Sequence, residues 1–215
     1  MSNPESFIDE VTEEVRRDKL FAMFRKYGWI GVLLVAGIVG GAAYNEWSKA
    51  RSEAAARDFG DALLTAIEAP TPESRREALD KITVRGEQAA LVQMLLSSDP
   101  QQDRAATLVA LDKVIADASL PQIWHDLATL RRVIVAGAEM PLADRRAALE
   151  PLAAAGRPFR TMAAEQLAYL LVEDGKTEAA ISALQALLDD QDAPGGLRSR
   201  AAQMIVALGG EPKQG

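Results

Sequence analysis

The chain has 215 residues, with 31 acidic and 24 basic side chains, a net charge of −7 and no cysteine. That balance argues against a nucleic-acid binder, which shows a basic domain or stripe. The missing thiols exclude a disulfide framework and thiolate chemistry. Aromatics are only 5 % of the residues and alanine is abundant, the composition of closely packed helices rather than of a β-sandwich.

Residues 1–26 are polar with a helical apolar rhythm. Phe7, Ile8, Val11 and Val15, then Leu20, Phe21 and Phe24, recur at spacings of three and four. They read as a cytoplasmic juxtamembrane helix, with Ser6 as its cap and Asp9 and Glu10 in the first turn. Residues 27–45 read as a transmembrane helix. Its core, YGWIGVLLVAGIVGGAAY from Tyr27 to Tyr44, is 18 residues without a charge. About 20 apolar residues cross the hydrocarbon of a bilayer, and about 17 suffice. Tyr27 and Trp29 at one end and Tyr44 and Trp47 at the other match the aromatic belts of a spanning helix.

A cleaved signal peptide is the rival reading, since Gly40-Gly41-Ala42 offers small residues to a peptidase. Against it, 26 residues precede the run, six of them acidic, and the run exceeds a signal core of about 7–15 residues. Arg16, Arg17, Lys19, Arg25 and Lys26 before the span outweigh Lys49, Arg51 and Arg57 after it. That excess keeps the N-terminus in the cytoplasm. Within the span, Gly37 and Gly41 form a small-xxx-small pair that suits close helix packing, and Ala36 and Gly40 form a second.

Residues 46–208 read as a train of helices. From Glu46 to Ala69 only Gly60 interrupts the helical pattern, with Ala55, Phe59, Ala62, Leu63 and Ile67 on one face; Pro70 and Pro72 end it. Thr71 is placed as the N-cap of the next helix, with Pro72 at its first position. Further helices are expected from Arg85 to Ser97, from Gln101 to Ala116, from Pro121 through Ile134, from Pro141 through Leu152, from Pro158 through Leu171, from Glu178 to Leu188 and from Leu197 to Leu208. Residues 209–215 read as a disordered tail. No segment has the period-two alternation of a strand.

Helices of this length joined by short turns are the signature of an α-solenoid. The clearest unit, Thr161 to Asp192, resembles a tetratricopeptide repeat. Ala168 stands at the packed small position of the first helix and Gly175 at the turn. Ala180 and Leu184 carry the alanine and large apolar residue of the second helix, while Leu171 replaces the usual tyrosine. The pairs at 85–117 and 120–155 lack the turn glycine in register and are only repeat-like. The expected fold is all-α, a single N-terminal transmembrane helix followed by tetratricopeptide-like helix pairs.

Taken with the stretch GGAAYNEWSKARSEAAARDFGDALL from Gly40 to Leu64, this architecture resembles the bacterial YfgM-type family, ancillary subunits of the SecYEG translocon. The resemblance implies an inner-membrane protein whose periplasmic repeat domain binds proteins. Its implied partners are the SecYEG translocon and a periplasmic chaperone of the PpiD type. The same architecture also suits an envelope-biogenesis scaffold with other partners.

Enzyme readings find little support. The one histidine, His125, lies beside Trp124 and Asp126 on an expected helix, and no Gly-x-Ser-x-Gly elbow presents a serine to it. One histidine without cysteine offers no zinc spacing, and no phosphate-binding Gly-x-x-x-x-Gly-Lys loop occurs. Asp189, Asp190 and Asp192 lack the spaced ligands of a calcium loop. No cofactor is expected. What remains is surface for proteins. In the Thr161–Asp192 unit the repeat family's groove positions fall on Met162, Glu165, Tyr169 and Glu173, and Trp124 is a further candidate anchor.

Overall fold

The computed structural model describes residues 4–213, with side chains described at residue 21, residue 23 and from residue 25 onward. Among the described residues every regular element is helical. The chain divides into two compact units between Ala62 and Leu63.

Helix α1 runs Pro4–Ile67 without a break. No proline lies between Pro4 and Pro70, so nothing removes an i→i−4 hydrogen bond along its length. Ser6 lies inside this helix rather than capping it. The stretch from Arg25 to Ile67 holds a window of mean hydropathy 1.6, none of it buried in the chain. It is the one described helix long and apolar enough to cross a membrane. Val32, Leu34 and Ile38 are about as exposed as Trp29 and Tyr44, so the span is apolar on every side. Its 18 uncharged residues rise about 27 Å at 1.5 Å each. At its two ends Lys26 lies 5.4 Å above the Tyr27 ring and Arg51 lies 5.5 Å above the Trp47 ring. Residues 45–58 remain exposed along the helix, which is why the structural division falls at Ala62 and not at Glu46.

The second unit contains α2 Pro72–Asp80, α3 Glu87–Leu96, α4 Arg104–Ala116, α5 Gln122–Ala136, α6 Leu142–Leu149, α7 Arg160–Glu173, α8 Thr177–Asp189 and α9 Gly195–Ala207, with a 3-10 turn Gly137–Glu139 after α5. Thr71 caps α2 as expected. Its hydroxyl accepts from the Ser74 N–H at 3.1 Å, and the Ser74 hydroxyl accepts from the Thr71 N–H at 3.1 Å. Several boundaries differ from the sequence reading by a few residues, two of them for local reasons that the structure shows. Helix α4 begins at Arg104, not Gln101, because the Asp103 carboxylate accepts from the Ala106 N–H at 2.8 Å. Helix α6 ends at Leu149, not Leu152, because Pro151 has no N–H to donate to Ala147.

The turn between α7 and α8 shows why glycine stands at position 175. The Lys176 N–H donates to Leu171 O at 2.9 Å and the Gly175 N–H to Val172 O at 3.0 Å. This pair of bonds puts Gly175 at φ +72°, a left-handed conformation that costs glycine nothing. Gly86, Gly137 and Gly156 take positive φ as well, at turns where no family register points to them.

From α2 to α9 each helix packs on its neighbours in the chain, and α7 also touches α9. Three apolar clusters result. Ala90, Met94, Leu111, Val114 and Ala128 join α3, α4 and α5. Leu130, Val133, Leu149, Ala163 and Leu170 join α5, α6 and α7. Ala168, Leu184, Leu197, Ala201 and Ile205 join α7, α8 and α9. Helices α5 and α7 each serve two clusters, one on either side, so the core is continuous although no helix pair closes it alone. Ala168, Ala180 and Ala201 are 0 % exposed, which lets helix backbones approach closely. The end of the chain also packs. Gln185 donates to Lys213 O at 2.7 Å and accepts from the Lys213 N–H at 2.9 Å. Residues 209–213, read from sequence as part of a disordered tail, therefore run against α8, while 214 and 215 lie outside the described residues.

Leu184 is wholly buried in the last cluster. Leu184→Ala is expected to cost the helical unit about 2–5 kcal/mol, read as a lower urea midpoint by circular dichroism.

Candidate protein-interaction surface

Helix α7 carries four of the candidate residues, and the structure separates them by exposure. Met162 is 43 % exposed and stands free on the first turn. Glu165 is buried, 3 % exposed, so its carboxylate is not offered to solvent. The Arg200 guanidinium on α9 holds it in a fork: Nε donates to Oε1 at 2.9 Å and an η nitrogen donates to Oε2 at 2.8 Å. Tyr169, half-buried, donates its hydroxyl to Glu165 Oε1 at 3.0 Å. Burial pushes the Tyr169 phenol up, with the neighbouring carboxylate adding to the effect. Glu165, Tyr169 and Arg200 thus form a closed network that fastens α9 to α7.

Glu173, at the far end of α7, is exposed but engaged. The buried Arg145 of α6 reaches both its oxygens, at 2.7 and 2.5 Å. That contact holds the Glu173 carboxyl below the usual carboxylate range. Trp124, on α5, packs against the cluster of α3, α4 and α5 and donates Nε1–H to Glu87 at 2.9 Å. Its ring is therefore half-committed to the core. The structure does not bring Trp124 together with the α7 residues in one hydrogen-bond network.

The span residues stand apart. A Cβ built at Gly37 or Gly41 would meet nothing within 4 Å, so the pair is open. The face carrying Gly28, Val32, Val35 and Val39 lies on the side of the helix away from Gly37 and Gly41, at 100° per residue.

The residues weighed for chemistry are used in packing. The His125 ring sits with Nδ1 3.1 Å from Ile115 O and Nε2 3.3 Å from Leu120 O, and it ties the end of α4 to α5. Asp126 is buried and accepts from Arg157 at 2.5 Å and from Gln122 at 3.0 Å. Asp190 and Asp192 both accept from Arg160, at 2.6 and 2.9 Å. Among the described residues no group of three or more histidine, aspartate and glutamate side chains is arranged to hold a metal.

Sequence reasoning missed Arg200, Arg145 and Glu87, the partners that decide what each candidate can do. They stand 35, 28 and 37 positions from Glu165, Glu173 and Trp124. No local pattern links positions so far apart. No family model, curated protein or solved structure matches this chain.

The Arg160 hydrogen bond, followed by the Asp192 N–H, holds the Asp190 carboxyl below its ordinary range, as Arg145 does for Glu173. Carboxyls depressed in the folded state stabilise it above the unfolded carboxylate range and lose that contribution as pH falls through their folded values. The helical unit is therefore expected to hold its Tm from pH 7 to about pH 5 and to lose it below about pH 4. In Arg160→Gln, with Asp190 released, the fall should be shallower. Thermal melts across this range check both.

Proposed function

We propose that the chain is a membrane-anchored protein-interaction scaffold, with residues 27–45 in the bilayer and the helical unit as its binding part. The observation that carries this reading is an apolar helix, unburied on every side, in the same chain as a unit built of successive packed helices. Water does not solvate such a helix, whereas lipid does. The α7–α8 hairpin supports a tetratricopeptide-like repeat. Ala168, Ala180 and Leu184 are fully buried and Gly175 makes the turn. The same neighbour-on-neighbour packing from α2 to α9 supports extending that description to an α-solenoid. Solenoids present broad faces that bind proteins, and the reading is of a non-enzymatic protein.

The basic excess before the span supports a cytoplasmic N-terminus and, with the YfgM-type resemblance, a periplasmic helical unit at a bacterial inner membrane. On that resemblance the chain is an ancillary translocon subunit. It links SecYEG, through the span, to a PpiD-type chaperone and emerging proteins, through the repeats. Gly37 and Gly41 are open for helix packing in the bilayer, and Met162 is the exposed contact residue of α7.

A periplasm-dependent reporter fused after Leu208 should be active, and a cytoplasm-dependent one silent; the reverse result overturns the orientation. Mild-detergent pull-downs of the full chain should recover translocon subunits and the chaperone. Gly37→Leu combined with Gly41→Leu should lose the translocon and keep the chaperone. Recovery of other envelope proteins without the translocon would instead favour an envelope-biogenesis scaffold.

A further inference from the structure

We propose that the face formed by α2, α3 and α4 is a docking groove for a basic amphipathic helix of a partner protein. This deepens the scaffold reading and rests on it. Two hollows, of about 350 and 250 Å³, meet at Arg76 and Asp80. Together they form a trough with α2 as one wall, α4 as the other and α3 as the floor.

The two walls differ in chemistry. On α4, Ala106, Val109, Ala110 and Lys113 follow the i, i+3, i+4, i+7 spacing of one helix face. Val109 is 55 % exposed in the middle of that stripe, and Leu96 of α3 lies at its foot. On α2, Glu73, Arg76, Glu77 and Asp80 follow the same spacing. Arg76 is already used: it pairs with Asp103 at 3.1 Å and donates to Leu96 O at 3.1 Å. Glu77 and Asp80 pair with no cation among the described residues. The floor holds a further unmet group, the Gln93 Oε1, which is buried and accepts no hydrogen bond.

The aliphatic residues Ala106, Val109 and Ala110 of α4, with Lys113 beyond them, face the acidic residues of α2, and the unpaired carboxylates select the occupant by charge. The complementary shape is a helix with aliphatic side chains toward Val109 and Lys or Arg toward Glu77 and Asp80, the helix-in-groove mode of recognition. The α2 wall is nine residues long, about 13 Å at 1.5 Å per residue, so the groove takes two to three turns of such a helix. The same acidic wall repels an anionic lipid surface or an acidic peptide.

The test uses the full chain in an uncharged detergent and a labelled amphipathic helical peptide of leucine and lysine, followed by fluorescence anisotropy. Val109→Asp, and separately Asp80→Lys, should each weaken binding by about tenfold. Glu178→Lys, an equal change of local charge on exposed α8, should alter it by less than about twofold. All three substituted positions are exposed, and circular dichroism melts confirm that each variant folds. A loss at Glu178→Lys equal to that at α2 overturns the groove, because binding then follows net charge alone. So does unchanged binding in every variant, or equal binding of a leucine-glutamate peptide. Those results leave the scaffold reading to the pull-downs, which do not depend on this peptide.

Discussion

A helix that is apolar on every side, and buried against nothing in its own chain, needs an apolar surrounding from outside it. The stretch from Tyr27 to Tyr44 meets that condition, with Val32, Val35, Ile38 and Val39 all well exposed. Exposing this much apolar surface to water is unfavourable at roughly 25 cal/mol per Å². Lipid removes the penalty, and the helical backbone meets its own hydrogen-bonding needs there. The cations above Tyr27 and Trp47 suit the two interfaces, where an aromatic ring and a charge are both accommodated.

The helical unit solves a different problem. Its helices are short, and no pair of them buries both its faces. Alanine at the crossings brings backbones close, and large residues such as Leu111, Leu149 and Leu184 fill the spaces between. Arginines then join elements distant in sequence: Arg76 to Asp103, Arg145 to Glu173, Arg160 to Asp190 and Arg200 to Glu165. Exposed pairs of this kind contribute little each. Those with a buried member, Arg145 and Glu165, matter more, because removing one partner strands the other in low dielectric.

This division of labour affects which surface is free for partners. Positions that a repeat pattern assigns to a groove are partly spent on internal ion pairs at α7, where Glu165 is locked to α9 and Glu173 to α6. Unspent carboxylates lie instead on α2, opposite an exposed valine on α4. Helical periodicity marks which residues share a face, but not which of those faces a neighbouring helix covers.

The sequence by itself determined the long uncharged apolar helix, the all-helical class, the cap at Thr71 and the hairpin around Gly175. Each is written in contiguous residues: an uncharged run, a period near 3.6, a hydroxyl before a proline, a glycine where φ must be positive. Tertiary structure decided the rest. It buried Glu165 under Arg200, committed Trp124 to Glu87 and brought Lys213 back onto Gln185. It also set the acidic stripe of α2 against the apolar stripe of α4. These contacts join positions separated by about one helix pair, and they form only when successive pairs pack, because the geometry of that packing, not the local chain, sets which side chains meet.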